Sequence, residues 1–247
     1  MQSKTSFRLS GVLCLFSFFF SLQLFFISPA QATDVSGPIS ANTTWTLANS
    51  PYIVIGNITV ESGVTLTIEP GVQVKFDGYF ELIVNGTLNA QGTAGSLIIF
   101  TSNSVTPGAG NWDRIQFNAG SDSSILKYAD IQYAWSGIRA DGSSPLIDHV
   151  VVENVVASVI LNTSSSTFSS NTIIGIVIEN GSPILTGNTI VGNWIGIAIQ
   201  GASAPVINNN SIYGHDGHNL QAPFGSGTTI NAQNNWWGTT DPSVIAQ

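Results

Sequence analysis

Five side chains in the middle of the chain have types and spacing suited to chemistry on a polymer: Trp135, Arg139, Asp141, Glu179 and Trp194. Asp141 and Glu179 end the short phrases GIRAD (137–141) and GIVIE (175–179). Paired carboxylates are the equipment of glycoside hydrolysis, one serving as acid and the other as base. Trp135 and Trp194 each stand two positions ahead of a phrase-opening glycine, and flat rings beside polar groups make a platform for the C–H face of a sugar. Arg139 is the one cation in these phrases with a carboxylate beside it. Farther on, GHDGHN gathers His215, Asp216 and His218, the residue types of a metal site. On a strand, side chains three positions apart face opposite sides, and no third firm ligand is at hand. His149 reads as a corner residue rather than a base.

Whether these groups meet depends on what positions them. Five phrases share one pattern, GIRAD, SVILN (158–162), GIVIE, GIAIQ (196–200) and GHNLQ (217–221), opening at Gly137, Ser158, Gly175, Gly196 and Gly217. A second column runs His149, Asn171, Asn188, Asn210 and Asn234. Upstream, Ile58, Val60, Val64, Leu66, Ile68, Val72, Val74, Phe76, Leu82 and Val84 alternate with polar residues, broken by turn clusters such as ESG, EPG and NGT. Period two means strands with one buried face. A regular recurrence over such a short period means a solenoid, whose rungs bury their apolar faces against each other. A rung of short strands and tight corners is the unit of a parallel β-helix, stacked at ~4.8 Å. Identical asparagines then form an amide ladder at one corner. The length predicts roughly eight turns.

Stacking the phrases turns Ile138, Ala140, Ile176, Ile178, Ile197 and Ile199 inward and leaves two outward columns: Arg139, Ile160, Val177, Ala198, Asn219, and Asp141, Asn162, Glu179, Gln200, Gln221. Asp141 and Glu179 fall two rungs apart, roughly 10 Å, near the upper end of the ~6.5–9.5 Å separation in inverting glycosidases. The competing reading is a solvated column opening a turn, because the amides at its other positions have no acid–base capacity. The tryptophans likewise have two readings, a sugar platform or filling for a corner of the core.

Residues 1–32 read as a secretory signal peptide: Lys4 and Arg8, an apolar run from Val12 to Ile27, and Ala30-Gln31-Ala32 as the cleavage site. Cys14 lies within that run. Residues 33–247 then lack cysteine and methionine, which excludes disulfides and thiol chemistry. They carry four cations, Lys75, Arg114, Lys127 and Arg139, against all 14 carboxylates, a net charge of −10. Such a surface cannot assemble the basic face that nucleic acid requires. No membrane span is expected once the leader is removed. Non-repetitive residues 33–50 are expected to cap one end and residues 234–247 the other, with Trp236 and Trp237 as an aromatic plug and Asp241-Pro242 opening a helix.

Through ITVESGVTLTIEPGVQVKF, LIVNGTLNAQGT and the rungs ending in NNWWG, nearly the whole of residues 33–247 resembles the right-handed parallel β-helix repeat proteins of the pectate-lyase-like superfamily, secreted bacterial and archaeal type. The resemblance implies an all-β chain folded as a single-stranded right-handed solenoid with end caps. It does not fix function, since that superfamily includes polysaccharide lyases, hydrolases, esterases and adhesins. The paired aspartates and basic triplet of the polygalacturonase-type hydrolases are absent around His215, and no carboxylate cluster suitable for calcium surrounds Arg139. The reading is therefore a secreted, cell-surface or periplasmic module without catalytic residues, metal or cofactor, binding a polysaccharide or cell-surface glycan or serving as a structural or adhesion unit. The alternative is a polysaccharide lyase or glycoside hydrolase. Trp135, Arg139, Asp141, Glu179 and Trp194 are the candidate ligand-binding residues.

Overall fold

The computed structural model describes residues 32–222 and 230–239, so the signal peptide and the Asp241-Pro242 helix start lie outside the described residues. Every ladder pairing between its strands is parallel, and the chain winds through about nine turns, against the roughly eight expected. Each rung contributes to three ladders. The first stacks Thr43–Trp45, Thr65–Ile68, Thr87–Gln91, the leading halves of Ile125–Gln132 and Leu146–Glu153, then Thr167–Ser169, Ile184–Thr186 and Val206–Asn208. The second runs through Tyr52–Val54, Gln73–Phe76, Ile98–Ser102 and onward to Thr189–Val191 and Ser211–Tyr213. The third stacks Ile58–Val60, Leu82–Val84, Trp112–Asn118, Ala134–Asp141, Val159–Asn162, Ile176–Glu179, Ile195–Gln200 and His218–Gln221.

Alternation sends one apolar residue in two to the interior, so nearly all the upstream positions read as inward are buried, Val64 being half-buried. Bulk is graded along the axis. In the early rungs Phe76 and Trp112 stack face to face with centroids 4.0 Å apart, and Phe100 and Phe117 are fully buried. Later rungs carry mainly Ile and Leu.

The corner between the first and second ladders is built from side-chain amides. Asn188 Nδ2 donates to Phe168 O and to Asn210 Oδ1 at 2.9 Å each, while its own Oδ1 accepts from the Asn171 N–H and Nδ2, again at 2.9 Å. The ladder continues from Asn210 Nδ2 to Asn235 Oδ1 at 3.1 Å and ends where Asn171 Oδ1 accepts the Val150 N–H at 2.8 Å. His149 and Asn234 are therefore not members of the amide column, as expected from the repeat, but lie one position ahead of it. They belong to the bend itself, where Tyr128, His149, Ser170, Gly187, Asn209 and Asn234 all take positive φ between 47° and 66°. A bend that needs left-handed backbone selects Gly and Asn, which adopt it most cheaply.

At the start of the solenoid, residues 33–50 do not lie apart from the repeat. Thr33–Ile39 and Thr43–Trp45 pair in parallel with the next rung. At the other end Trp237 packs on the core, whereas Trp236 bridges to Ser211 and is 46% exposed, so one tryptophan plugs and its neighbour does not.

Candidate functional site

The third ladder carries the five candidate residues. Register is as expected through most of its length: Asp141 pairs with Asn162, Asn162 with Glu179, and Glu179 with Gln200. The last rung differs. Leu220 pairs with Ile197 and Gln221 with Ala198, so Gln221 continues the Arg139 column and not the Asp141 column. The cause is two insertions of one position each: the offset between paired residues is 21 from Glu179 to Gln200, 22 from Ile184 to Val206, and 23 from Ile197 to Leu220. Val191 pairs with Tyr213, and the same offset would bring Ile197 to Asn219, but Ile197 pairs instead with Leu220.

Within this ladder the candidates separate into two groups. Trp135 is the second residue of Ala134–Asp141 and Trp194 lies just ahead of Ile195–Gln200; Arg139, Asp141 and Glu179 lie four or more positions farther along the rungs, which at ~3.3 Å per position is a separation of roughly 13–20 Å. One sugar ring cannot touch both groups. Both tryptophans face solvent, Trp135 at 44% and Trp194 at 66% exposed, so neither fills the core corner. The Trp194 ring lies over Gly217, where an added Cβ would come within 3.0 Å of its Cε2 and Nε1.

Arg139 folds onto its own strand and pairs with Asp141, Nε to Oδ2 at 2.7 Å. Gln116 Nε2 donates to the same oxygen at 3.0 Å. Partial burial pushes the Asp141 carboxyl up, but the hydrogen bond and charge of Arg139, with Asn162 and Gln116, outweigh it and hold the group below the usual carboxylate range. A glycosidase's general acid needs the opposite shift. Asp141 is thus held away from the protonated state that a general acid needs.

Two rungs on, the same surface opens. Where Arg139 would lie, the outward residues shrink to Val177 and Ala198, leaving a trough of about 260 Å³. Trp194 forms one wall; Ser158 and Asn193 form the near end, and Gln200 and Gln221 the far end. Asn193 is fixed by three bonds. Its Nδ2 donates to Ser158 Oγ at 2.8 Å, its Oδ1 accepts the Trp194 N–H at 2.8 Å, and its own N–H is accepted by His215 Nδ1 at 3.3 Å. The Ser158–Asn193 bond passes over Gly175, where a Cβ would sit 2.8 Å from both side chains, so only glycine fits between them. His215 is spent on this scaffold: with Nδ1 accepting, Nε2 donates to Ile190 O at 3.0 Å. GHDGHN is therefore a structural turn, and among the described residues no group of three or more His, Cys, Asp or Glu could hold a metal ion. Sequence reasoning placed Gln200 and Gln221 on the outside but missed the trough they line; the readable signal was the shrinkage from Arg139 to Val177 and Ala198 beside an exposed tryptophan.

Two family models match the chain, a pectate-lyase-like β-helix domain over residues 37–154 and a right-handed β-helix region over residues 115–237. Between them they span the solenoid, and the chain belongs to the right-handed parallel β-helix repeat proteins. Protein bark beetle of Drosophila melanogaster is 44% identical over 59 residues, which is 24% of this chain and 2% of that protein. The chain thus matches only a small fraction of that relative's length. No solved structure matches.

Proposed function

We propose that the protein is an exported, non-catalytic module that holds an uncharged polysaccharide on the outer face of its third ladder, in the trough beside Trp194. The observation that carries this reading is the trough itself: a 66% exposed indole next to a floor of small apolar side chains, rimmed by amides and a hydroxyl. Aromatic faces with a few placed polar groups are what a binding site for an amphipathic ligand such as a sugar needs. A net charge of −10 over residues 33–247 disfavours an acidic glycan. Export rests on the leader-like residues 1–32, and the exported form should begin at Thr33 on N-terminal sequencing. Among the described residues no helix is long and apolar enough to cross a membrane.

A hydrolase or lyase would have to work through the Asp141–Glu179 column, where Arg139 keeps Asp141 ionised. Incubation with neutral and acidic polysaccharides, with and without calcium, separates the readings when bond cleavage and retention are followed together. Retention of a neutral polymer without new chain ends is expected. Release of reducing ends or unsaturated products would overturn the proposal.

A further inference from the structure

Six exposed large apolar side chains, Ile55, Tyr79, Val105, Trp135, Val156 and Trp194, all fall where the chain passes from the second ladder to the third. Equivalent turns stack: the Val156 and Ala157 N–H groups donate to Trp135 O, and those of Gly217 and His218 to Trp194 O. The apolar groups therefore follow one edge of the solenoid, parallel to its axis.

That edge has a second hollow. It encloses about 300 Å³ and is lined by Phe76, Asp77, Gly78, Ser102, Ser104 and Asn111. Tyr79 follows Gly78 of this lining in the chain and is 57% exposed, with its hydroxyl donating to Asp113 Oδ1 at 3.3 Å. Aromatic ring, amide and hydroxyls repeat here the chemistry of the Trp194 trough. Five rungs separate the turn before Leu82, which carries Tyr79, from the turn before Ile197, roughly 24 Å at the interstrand spacing. The middle of the edge is closely packed, since a Cβ at Gly110 would lie 3.2 Å from Val156 Cγ2 and 3.6 Å from Trp135 Cε3. The nearby guanidinium groups are already engaged, Arg114 with Asp113 and Arg139 with Asp141, each at 2.7 Å. Asp77 lines the hollow and Glu81 and Asp113 lie close by in the chain, so a polyanion would meet carboxylates.

We infer that this edge is a two-subsite track for a single unbranched, uncharged polysaccharide chain, with one subsite at Tyr79 and the other at Trp194. The inference rests on the glycan-binding reading and extends it to ligand length. Each subsite alone is weak. A chain that spans both makes its second contact intramolecularly, and affinity rises without any new type of contact.

The test is a titration of the exported protein with a neutral, unbranched β-glucan series from disaccharide to soluble polymer. The wild type should show an affinity gain of at least roughly tenfold once the chain spans the two subsites. Tyr79→Ala should abolish that gain while short oligomers bind as before, and Tyr79→Phe, which keeps the ring, should retain it. Trp194→Ala should weaken short and long chains alike. Affinity independent of length, or a length gain that survives Tyr79→Ala, overturns the two-subsite track and leaves the single trough standing. Failure of the wild type to bind any member of the series removes both.

Discussion

The two corners that bound the second ladder are built on opposite principles. On one side, Asn171, Asn188 and Asn210 are each at most 2% exposed, and each amide bonds to its neighbours in the ladder and to backbone. Nothing there is free to meet a ligand. On the other side the turns differ in length from rung to rung, and expose Tyr79, Val105, Trp135, Val156 and Trp194. A corner whose polar groups are all satisfied internally specifies register, because a slip of one position would orphan buried donors. An edge released from that duty can vary, and variation is where a binding surface can be built.

The largest expected effect lies at the repeating corner. Asn188→Ala removes the side-chain donor to Phe168 O and the acceptor of the Asn171 N–H and Nδ2, while Asn210 Oδ1 keeps only the Asn188 backbone N–H. Orphaned buried groups cost ~1–3 kcal/mol each, so the variant should lose about 3 kcal/mol in urea unfolding. A loss under ~1 kcal/mol would mean that the amide ladder is not what holds the rungs in register.

Trp194→Ala is the converse. Unfolding free energy should stay within ~0.5 kcal/mol of the wild type, as for exposed sites generally, while affinity for a neutral glycan falls about tenfold. The double variant Trp135→Ala/Trp194→Ala should also keep its fold, by the circular dichroism of the solenoid. Unfolding of either variant would show that the edge, like the asparagine corner, is structural.

The outer face of the second ladder lies between these extremes. Asp130 is half-buried, and desolvation, then the Glu153 charge, push its pKa up to about 6 against some help from Gln132. A carboxyl with a raised folded-state pKa favours the native state most below its unfolded value near 3.8, and that contribution is lost as pH rises through about 6. Asp130→Asn should therefore stabilise the protein above pH 6, by about 1 kcal/mol after allowance for solvent screening. It should also flatten the stability profile between about pH 4 and 6, whereas Asp148, held low by Ser169, Lys127 and His149 against its own burial, acts at more acidic pH. An unchanged profile would place Asp130 in ordinary solvation.

The difference between the corners also explains how much could be read from sequence. Period-two alternation and the recurrence of phrases such as GIVIE and GIAIQ were enough for the solenoid and its third ladder, because identical rungs impose identical residues. Register was misread where the repeat frays: at His149 and Asn234, one position outside the amide column, and at Gln221, displaced by two single-position insertions in the last rung. The site was legible only in part. Trp135 and Trp194 were recognisable as a recurring turn position, but the trough depends on small side chains at Val177 and Ala198 and on a bond between Ser158 and Asn193, which are distant in the chain. The first shows in the sequence only as a column that shrinks toward Trp194, and the second leaves no pattern there.

Amide hydrogen exchange of the exported protein, with and without a saturating neutral glycan, tests most directly whether ligand binding belongs to the irregular edge and not to the repeating corner. The expected result is added protection in segments 192–200 and 218–221, with none in 168–172 or 208–212. Protection centred on the asparagine corner, or spread evenly over all three ladders, would contradict the division of labour between the two.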